Sequence, residues 1–210
     1  MLDSYGISMP RGRVVTSEDA AVAAAEAIGW PVALKIVSRT IAHKTDVGGV
    51  VLGLRDASEL GAAYRAMFDR LATIGRRGEI TGVLVEEMVD RTAGVETFIG
   101  IAEAQDFGAL IGFGLGGTQV ELLRDVVFRV NPITDVDAEE MLTRIRGAAL
   151  LTGFRGSPGV DRPAVVDALL RLSRLAEDFP EIVALDINPL LALPPGRGVM
   201  ALDARIRVRG

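Results

Sequence analysis

Residues 31–53 read PVALKIVSRTIAHKTDVGGVVLG, and the rest of the chain can be interpreted outward from them. Residues 32–37 form an apolar run typical of a β-strand, interrupted by Lys35. Beyond it stands His43, the one histidine of the chain, followed by Lys44 and by the pair Gly48 and Gly49. A lysine supplies a point charge, and a glycine-containing loop can turn its backbone N–H groups toward an anion. The stretch therefore predicts a strand and loop that handle a phosphate group.

The composition excludes several classes of protein. A chain of 210 residues can form one large domain or two small lobes that share a ligand. Its net charge of −5 offers no basic field for a nucleic acid, and the lack of cysteine excludes disulfides and thiolate chemistry. No secretory leader opens the chain and its longest apolar stretch is interrupted by polar residues, so we expect a cytoplasmic protein without a membrane partner.

The order of apolar patterns predicts an α+β fold. Strand patterns with antiparallel-looking returns alternate with helical ones, the first helix starting at Thr16 as its N-cap. The arginine- and glycine-containing turn at 75–82 is the best boundary. We therefore expect a lobe over residues 1–80 that carries the histidine and a second lobe over residues 81–210.

The final hairpin is a candidate metal site. If its two strands pair symmetrically about the turn between Pro195 and Gly196, Asn188 lies opposite Asp203. An amide oxygen and a carboxylate at that spacing can share Mg²⁺, which prefers few protein oxygens and completes its shell with water and phosphate. The alternative is structural, with Asp203 and Asp186 pairing with neighbouring arginines. A register slip of one residue would turn Asp203 to the other face.

The other candidate site residues can each be interpreted structurally as well as functionally. Lys35 could be an edge residue that extends its amine to water, and Glu86, Glu87 and Glu96 could be solvated acids at strand ends. His43 lies in a polar loop rather than on an apolar helical face, and neutral imidazole can act there as a nucleophile or a base.

A glycine cluster at 112–117 matches the G-x-G-x-x-G pattern after a predicted strand. Alone this match is weak evidence for a dinucleotide site, since it comes mid-chain and opens no strand–helix–strand unit. The pattern of a P-loop is absent from the sequence. An oxidoreductase built on these glycines is therefore a remote alternative.

Taken together, the motifs resemble a known family. The chain is similar to the ATP-grasp part of the nucleoside-diphosphate-forming acyl-CoA synthetases, such as ADP-forming acetyl-CoA synthetase, and more distantly to the β subunit of succinyl-CoA synthetase. The motifs that carry this resemblance run nearly from end to end: YGISMP at 5–10, ALKIVSRTIAHKTDVGGV at 33–50, GVLVEEM at 82–88, FGALIGFGLGG at 107–117, LRDVVFRVNPIT at 123–134, DINPLL at 186–191 and ALDARI at 201–206.

The resemblance implies an ATP-grasp fold, in which two α+β lobes hold ATP between them. In that family His43 would match a phosphohistidine, with Lys44, Gly48 and Gly49 in its loop. The remaining matches would be these: Lys35 with the lysine that contacts the ATP phosphates, Glu86, Glu87 and Met88 with the hinge that receives adenine, Glu96 with the acid near the ribose, and Asn188 and Asp203 with the Mg²⁺ ligands. Succinyl-CoA synthetase lacks this histidine in the equivalent loop, so the sequence fits the acetyl-CoA synthetase branch.

The same resemblance implies a function and a partner. The chain would be the ATP- or ADP-binding component of an ADP-forming acid–CoA ligase, passing phosphate through His43 to ADP. The motifs fill the chain and leave no room for CoA-binding and ligase domains, so a separate α component or another part of a longer polypeptide would supply them. The alternative is a regulatory or assembly domain fused to a protein acetyltransferase, although that role would not require His43, Asn188 and Asp203 together.

Overall fold

The chain folds into two compact units in a computed structural model that describes residues 1–41, 43–117, 125–154, 156 and 158–209. The small unit is Pro10–Val89, and the large unit combines Met1–Met9 with Asp90–Gly210. Three residues of the motifs quoted above, Ala42, Leu123 and Arg124, lie outside the described ranges.

The small unit is an antiparallel sheet of four described strands with two helices. Its sheet has the order β1-β4-β2-β3. In chain order the elements are β1 (Gly12–Val15), α1 (Glu18–Ile28), β2 (Val32–Ser38), β3 (Val50–Leu54), α2 (Ala57–Thr73), a 3-10 turn (Arg77–Glu79) and β4 (Ile80–Glu87).

The helices of the small unit begin at side-chain caps. The helical spacing of Leu60, Tyr64 and Met67 after Asp56 predicts a helix capped by that aspartate. In the structure Asp56 accepts a hydrogen bond from the backbone N–H of Glu59 and starts α2. The first helix begins one residue later than predicted, because Ser17 and not Thr16 accepts the N–H of Ala20. Ser17 has the extended backbone that an N-cap requires.

One face of the small sheet holds the core of this unit. Leu34 and Ile36 of β2, together with Val85 of β4, pack against Leu60 and Leu71 of α2 and are almost fully buried. Because side chains alternate along a strand, the residues between them, including Lys35, point to the other face of the sheet.

The large unit contains a second antiparallel sheet and three described helices. Its strands follow the order β10-β8-β5-β6-β7, and β9 pairs with β8. The elements are β5 (Val95–Ala104), β6 (Gly108–Leu115), β7 (Val126–Val130), α3 (Asp135–Arg144), α4 (Ala148–Thr152), α5 (Arg162–Asp178), β8 (Ile182–Ala192), β9 (Val199–Ala201) and β10 (Ala204–Val208).

The core of the large unit lies between this sheet and the helices α3 and α5. Phe113 of β6 and Ile99 of β5 are fully buried there with Leu169 and Leu172 of α5. The sequence predicts one helix over 135–152, but the structure divides it into α3 and α4. Ile145 has an extended backbone and ends the first of them.

The boundary between the units differs from the expected one at residue 80. Residues 80–87 form β4, which pairs with both β1 and β2 and so belongs to the small unit. Residues 1–9 belong to the large unit, where the carbonyl of Ser8 accepts a hydrogen bond from the N–H of Ala201. Both sheets are antiparallel with helices packed on them, in agreement with the predicted α+β class.

Candidate nucleotide and phosphate site

Lys35 and Glu86 form a buried ion pair in the small unit. The Nζ of Lys35 lies 2.5 Å from Oε2 of Glu86, and the two side chains are 17% and 6% exposed. Lys35 lies opposite Leu84 and Glu86 lies opposite Ala33, so the pair is a diagonal contact on the sheet face opposite the one that packs against α2. The ion pair with Glu86 explains why a lysine can occupy an apolar strand. The phosphate-binding role of Lys35 and the adenine-hinge role of Glu86 stay predictions.

Glu87 and Met88, the other two predicted hinge residues, make contacts different from those of Glu86. Glu87 lies opposite Val32 on the helix-packed face, and its Oε2 lies 2.6 Å from Nε of Arg11. The two consecutive acids therefore occupy opposite faces of β4. Met88 uses its backbone N–H to bind the carbonyl of Pro31 at 3.2 Å. Contacts of Glu87 and Met88 with a nucleotide stay predictions.

The loop between β2 and β3 exposes His43. We define residues 43–49 as the histidine loop. In it, the N–H of Gly49 donates to the carbonyl of Lys44 at 2.7 Å and that of Gly48 donates to Thr45 at 3.0 Å. His43 lies just before this closed turn, and its side chain is exposed. An exposed imidazole is accessible to a phosphate group, as the phosphohistidine role implied by the resemblance would require.

Each glycine of the histidine loop has a structural reason: Gly48 has a positive φ that favours glycine, and Gly49 has no room for a Cβ. Gly48 has a φ of 67°, and a Cβ there would lie 2.4 Å from Nη1 of Arg70 on α2. At Gly49, a Cβ would lie 2.5 Å from Cδ1 of Ile36 and 2.9 Å from the carbonyl oxygen of Lys44. In the structure these glycines form the closed and packed end of the loop.

The residues that precede His43 are tied to the 3-10 turn before β4. We call residues 38–41 the loop stem. The hydroxyl of Thr40 donates a hydrogen bond to Oε2 of Glu79, whose carboxylate is also held by Arg76. Hydrogen bonds from Arg76 and Thr40 lower the pKa of Glu79 to about 2. This anchor has no local signal in the sequence, where the turn at 75–82 indicates only a boundary between lobes.

In the large unit, two predicted site residues approach the same glycine. The carboxylate of Glu96 pairs with Arg91, and a Cβ on Gly117 would lie 2.1 Å from its Oε2. The N–H of Gly117 donates to Oδ1 of Asn188 at 2.8 Å. The site was predicted without Gly117, although the glycine cluster signalled a close backbone approach.

A cavity of about 350 Å³ adjoins this cluster in the large unit. Its lining residues include Glu96, Gly116 and Leu150 of α4. Buried Asp125 holds the start of α4, accepting hydrogen bonds from the N–H groups of Arg146 and Gly147 at 2.7 and 2.8 Å.

The final hairpin has the predicted register. Leu190 pairs with Ala201, and Asp186 pairs with Arg205. Between these pairs, the N–H of Asn188 donates to the carbonyl of Asp203 at 3.1 Å, so the two residues lie opposite each other. The structural alternative, in which Asp186 and Asp203 pair with neighbouring arginines, stays a prediction.

The pair of residues offers the oxygen donors that suit Mg²⁺. Asn188 contributes an amide oxygen and Asp203 a carboxylate, which are hard ligands. Among the described residues no group of three His, Cys, Asp or Glu side chains could hold a metal ion. The pair therefore fits an ion whose remaining ligands are waters and phosphate oxygens, and it does not fit a closed structural metal site.

The glycines of β6 serve the packing of antiparallel strands. Gly112 pairs with Gly100 of β5, and a Cβ on Gly114 would lie 2.4 Å from the carbonyl oxygen of Asp125. The G-x-G-x-x-G match therefore lies on a strand with antiparallel neighbours. A dinucleotide site needs the motif within a parallel strand–helix–strand unit. Separately, within the part of the chain that the structure describes, no helix has the length and apolar character to cross a membrane.

Comparison with known proteins agrees with this arrangement. A family model described as "ATP-grasp domain" matches residues 1–208. The β subunit of ADP-forming acetate–CoA ligase II from Pyrococcus furiosus is 38% identical over all of this chain and 89% of its own length. The 4-hydroxybutyrate–CoA ligase (ADP-forming) of Nitrosopumilus maritimus is 39% identical over 98% of this chain but only 29% of its own length.

Solved structures give the same relationship. Acetyl-coenzyme A synthetase 1 of Ca. Korarchaeum cryptofilum, in complex with coenzyme A and Ca-AMPCP, has a TM-score of 0.93 and 44% identity, covering 99% of this chain and 89% of that chain. Another structure of that protein contains Mg-AMPPCP, with a phosphohistidine segment pointing towards the nucleotide-binding site; its TM-score is 0.84 at 41% identity, over 99% and 88% of the two chains. The chain therefore belongs to the ATP-grasp family, in the branch that contains the β subunits of ADP-forming acetate–CoA ligases.

Proposed function

We propose that this chain is the nucleotide-binding component of an ADP-forming acid–CoA ligase. The overall reaction would be acyl-CoA + ADP + phosphate = acid + CoA + ATP, with His43 carrying the phosphoryl group to ADP. Support comes from the β subunits that the chain matches over nearly their full length and from the larger ligases of which it spans about three tenths.

One observation carries the proposal: β2 holds Lys35 and leads through a short stem to the exposed His43. The cation is oriented by Glu86, and the imidazole lies outside the packed core. Phosphoryl transfer requires mainly positioning and neutralisation of charge, because little covalent chemistry falls to the protein. Lys35 and Lys44 would provide positive charge near the path of the phosphate.

The proposed transfer of the phosphoryl group to His43 is a direct displacement at phosphorus. An imidazole nitrogen of His43 attacks the γ-phosphorus of ATP, so a P–N bond forms as the bond from the γ-phosphorus to the β,γ-bridging oxygen breaks. ADP leaves, and the attacking nitrogen is the unprotonated one, so no further base is needed. The reverse step makes ATP from ADP and phosphohistidine.

In the large unit, Asn188 and Asp203 would hold Mg²⁺, which supplies neutralisation of phosphate charge when bound. The relative with Mg-AMPPCP supports this cofactor for the family. Glu96, oriented by Arg91, would lie near the ribose, and Glu86, Glu87 and Met88 would form the hinge for adenine. The small unit is proposed as the phosphohistidine lobe and the large unit as the magnesium lobe.

The proposal also requires a partner. A CoA-binding and ligase α component, as a separate subunit or as further sequence of the same polypeptide, would bind the acid and CoA and deliver phosphate to His43. The β-subunit relatives support such a partner.

The test is phosphorylation of His43. We expect the chain with Mg²⁺ and γ-labelled ATP to acquire acid-labile phosphate, located at His43 by peptide mass spectrometry and removed by added ADP. The variant His43→Ala should remain unlabelled while binding Mg-ATP within twofold of wild type. If His43→Ala lost ATP binding to the same extent as it lost the label, the role of His43 would be structural.

A second arm adds an α component with acyl-CoA and phosphate. Label on His43 from inorganic phosphate would support the complete relay. Absence of label in both arms would contradict the proposed function and favour a regulatory role.

A further inference from the structure

The loop stem that leads to His43 is organised by polar contacts rather than by packing alone. Ser38 accepts hydrogen bonds from the N–H groups of Thr40 and Ile41 at 3.2 and 3.1 Å. The hydroxyl of Thr40 then reaches across to the carboxylate of Glu79. Ile41 is 4% exposed, so the stem ends on a residue packed in the small-unit core.

Glu79 is held in place for this contact. Arg76 donates from Nε to Oε1 at 2.7 Å and from Nη2 to Oε2 at 2.9 Å. Such a two-point pair fixes the plane of a carboxylate as well as its position. With its pKa lowered to about 2, Glu79 is ionised at neutral pH and accepts hydrogen bonds throughout the working range.

The opposite end of the histidine loop is also fixed. The carbonyl of Gly49 accepts the N–H of Ile36 at 2.9 Å, and Gly49 is buried against the side chain of that residue. His43 is therefore two residues from the anchored Ile41 and three from Thr40. A change at Thr40 or Glu79 would alter the segment from which the histidine loop begins.

We propose that Glu79, acting through Thr40, is a positioning residue for His43. The inference rests on the proposed function, since it concerns the phosphoryl transfer assigned there. A fixed stem restricts the positions that the imidazole samples, and displacement of a reacting group by about 1 Å can slow a reaction on the order of a hundredfold. Neither residue needs to touch the nucleotide.

The experiment measures transfer from phosphorylated His43 to ADP in a single turnover. Thr40→Val keeps the shape of the side chain and removes the donor, and we expect it to slow the transfer at least tenfold. Glu79→Gln should slow it in the same direction. Thr40→Ser, which keeps the hydroxyl, should restore a rate within about twofold of wild type.

Glu59→Gln is the matched control. Glu59 also lies in the small unit and also receives a guanidinium, Nη2 of Arg55 at 2.7 Å, but it contacts the start of α2 and not the loop stem. Its loss removes a comparable ion pair without touching the stem, so we expect a wild-type transfer rate. Nucleotide affinity, measured by calorimetry, should be unchanged in all four variants.

Amide hydrogen exchange supplies a readout that does not depend on transfer. Thr40→Val and Glu79→Gln should raise the exchange rates of the Thr40 and Ile41 amides above those of wild type and Glu59→Gln. Wild-type transfer rates in Thr40→Val and Glu79→Gln, at normal folding, would overturn the positioning role and leave the proposed function intact. Failure of wild type itself to label His43 would overturn both.

Discussion

At the scale of single residues, the ion pair of Lys35 and Glu86 is the most informative contact. Two charges that are largely removed from water are tolerated because each compensates the other. The pair orients the amine of Lys35 along the sheet face opposite the one that packs against α2. It is thus a device for orientation more than a source of stability.

Removing one member of the ion pair should destabilise the small unit more than removing both. Lys35→Met should destabilise the small unit by about 3 kcal/mol, because Glu86 would remain as a buried charge without its partner. The double variant Lys35→Met with Glu86→Gln should recover most of that loss. Urea unfolding followed by the fluorescence of Trp30, which lies in the small unit, measures both values. No recovery in the double variant would show that the two side chains do not compensate each other.

At the scale of elements, the turn that closes the histidine loop depends on Gly49. The reason is lack of space for a side chain, since Gly49 does not have a positive φ. A Cβ at Gly49 would lie within 3 Å of Ile36 and of a backbone oxygen, whereas Gly78 has nothing within 4 Å. We expect Gly49→Ala to cost about 1–3 kcal/mol, the usual penalty of overpacking.

Gly78→Ala is the control for that prediction. Gly78 lies in the 3-10 turn of the same unit and has open space where the methyl group would go. Its substitution should change the free energy of unfolding by less than about 0.5 kcal/mol. Equal effects of the two alanines in urea unfolding would contradict the steric argument.

At the scale of the whole molecule, the described residues form two separate cores. Leu71 is fully buried in the small unit and Leu169 is fully buried in the large one. Each Leu→Ala change should remove about 2–5 kcal/mol from its own unit. Chains with two such units need not unfold in one transition.

The measurement uses the one tryptophan of the sequence. Trp30 packs against the core of the small unit, so its fluorescence reports that unit while far-ultraviolet circular dichroism reports both. Leu71→Ala should lower the midpoint of the fluorescence transition, and Leu169→Ala should leave it near wild type. A shift of the fluorescence midpoint by Leu169→Ala as large as that by Leu71→Ala would show that the units unfold together.

Local patterns in the sequence were enough to predict several features of this protein. Helical periodicity and a capping aspartate predicted α2, and counting outward from the Pro195–Gly196 turn predicted that Asn188 faces Asp203. Such features depend on neighbours along the chain or on one symmetric turn. The HKTDVGGV string likewise indicated the family, which the comparisons confirmed.

Contacts between distant segments were decided only by the tertiary structure. The sequence could not show that Glu86 meets Lys35 while Glu87 turns to Arg11, because strand pairing sets which face each acid occupies. Nor could it show that β4 belongs to the small unit, or that Thr40 reaches Glu79. These partners are separated by tens of residues, and no local preference encodes a pairing that forms only when the sheet does.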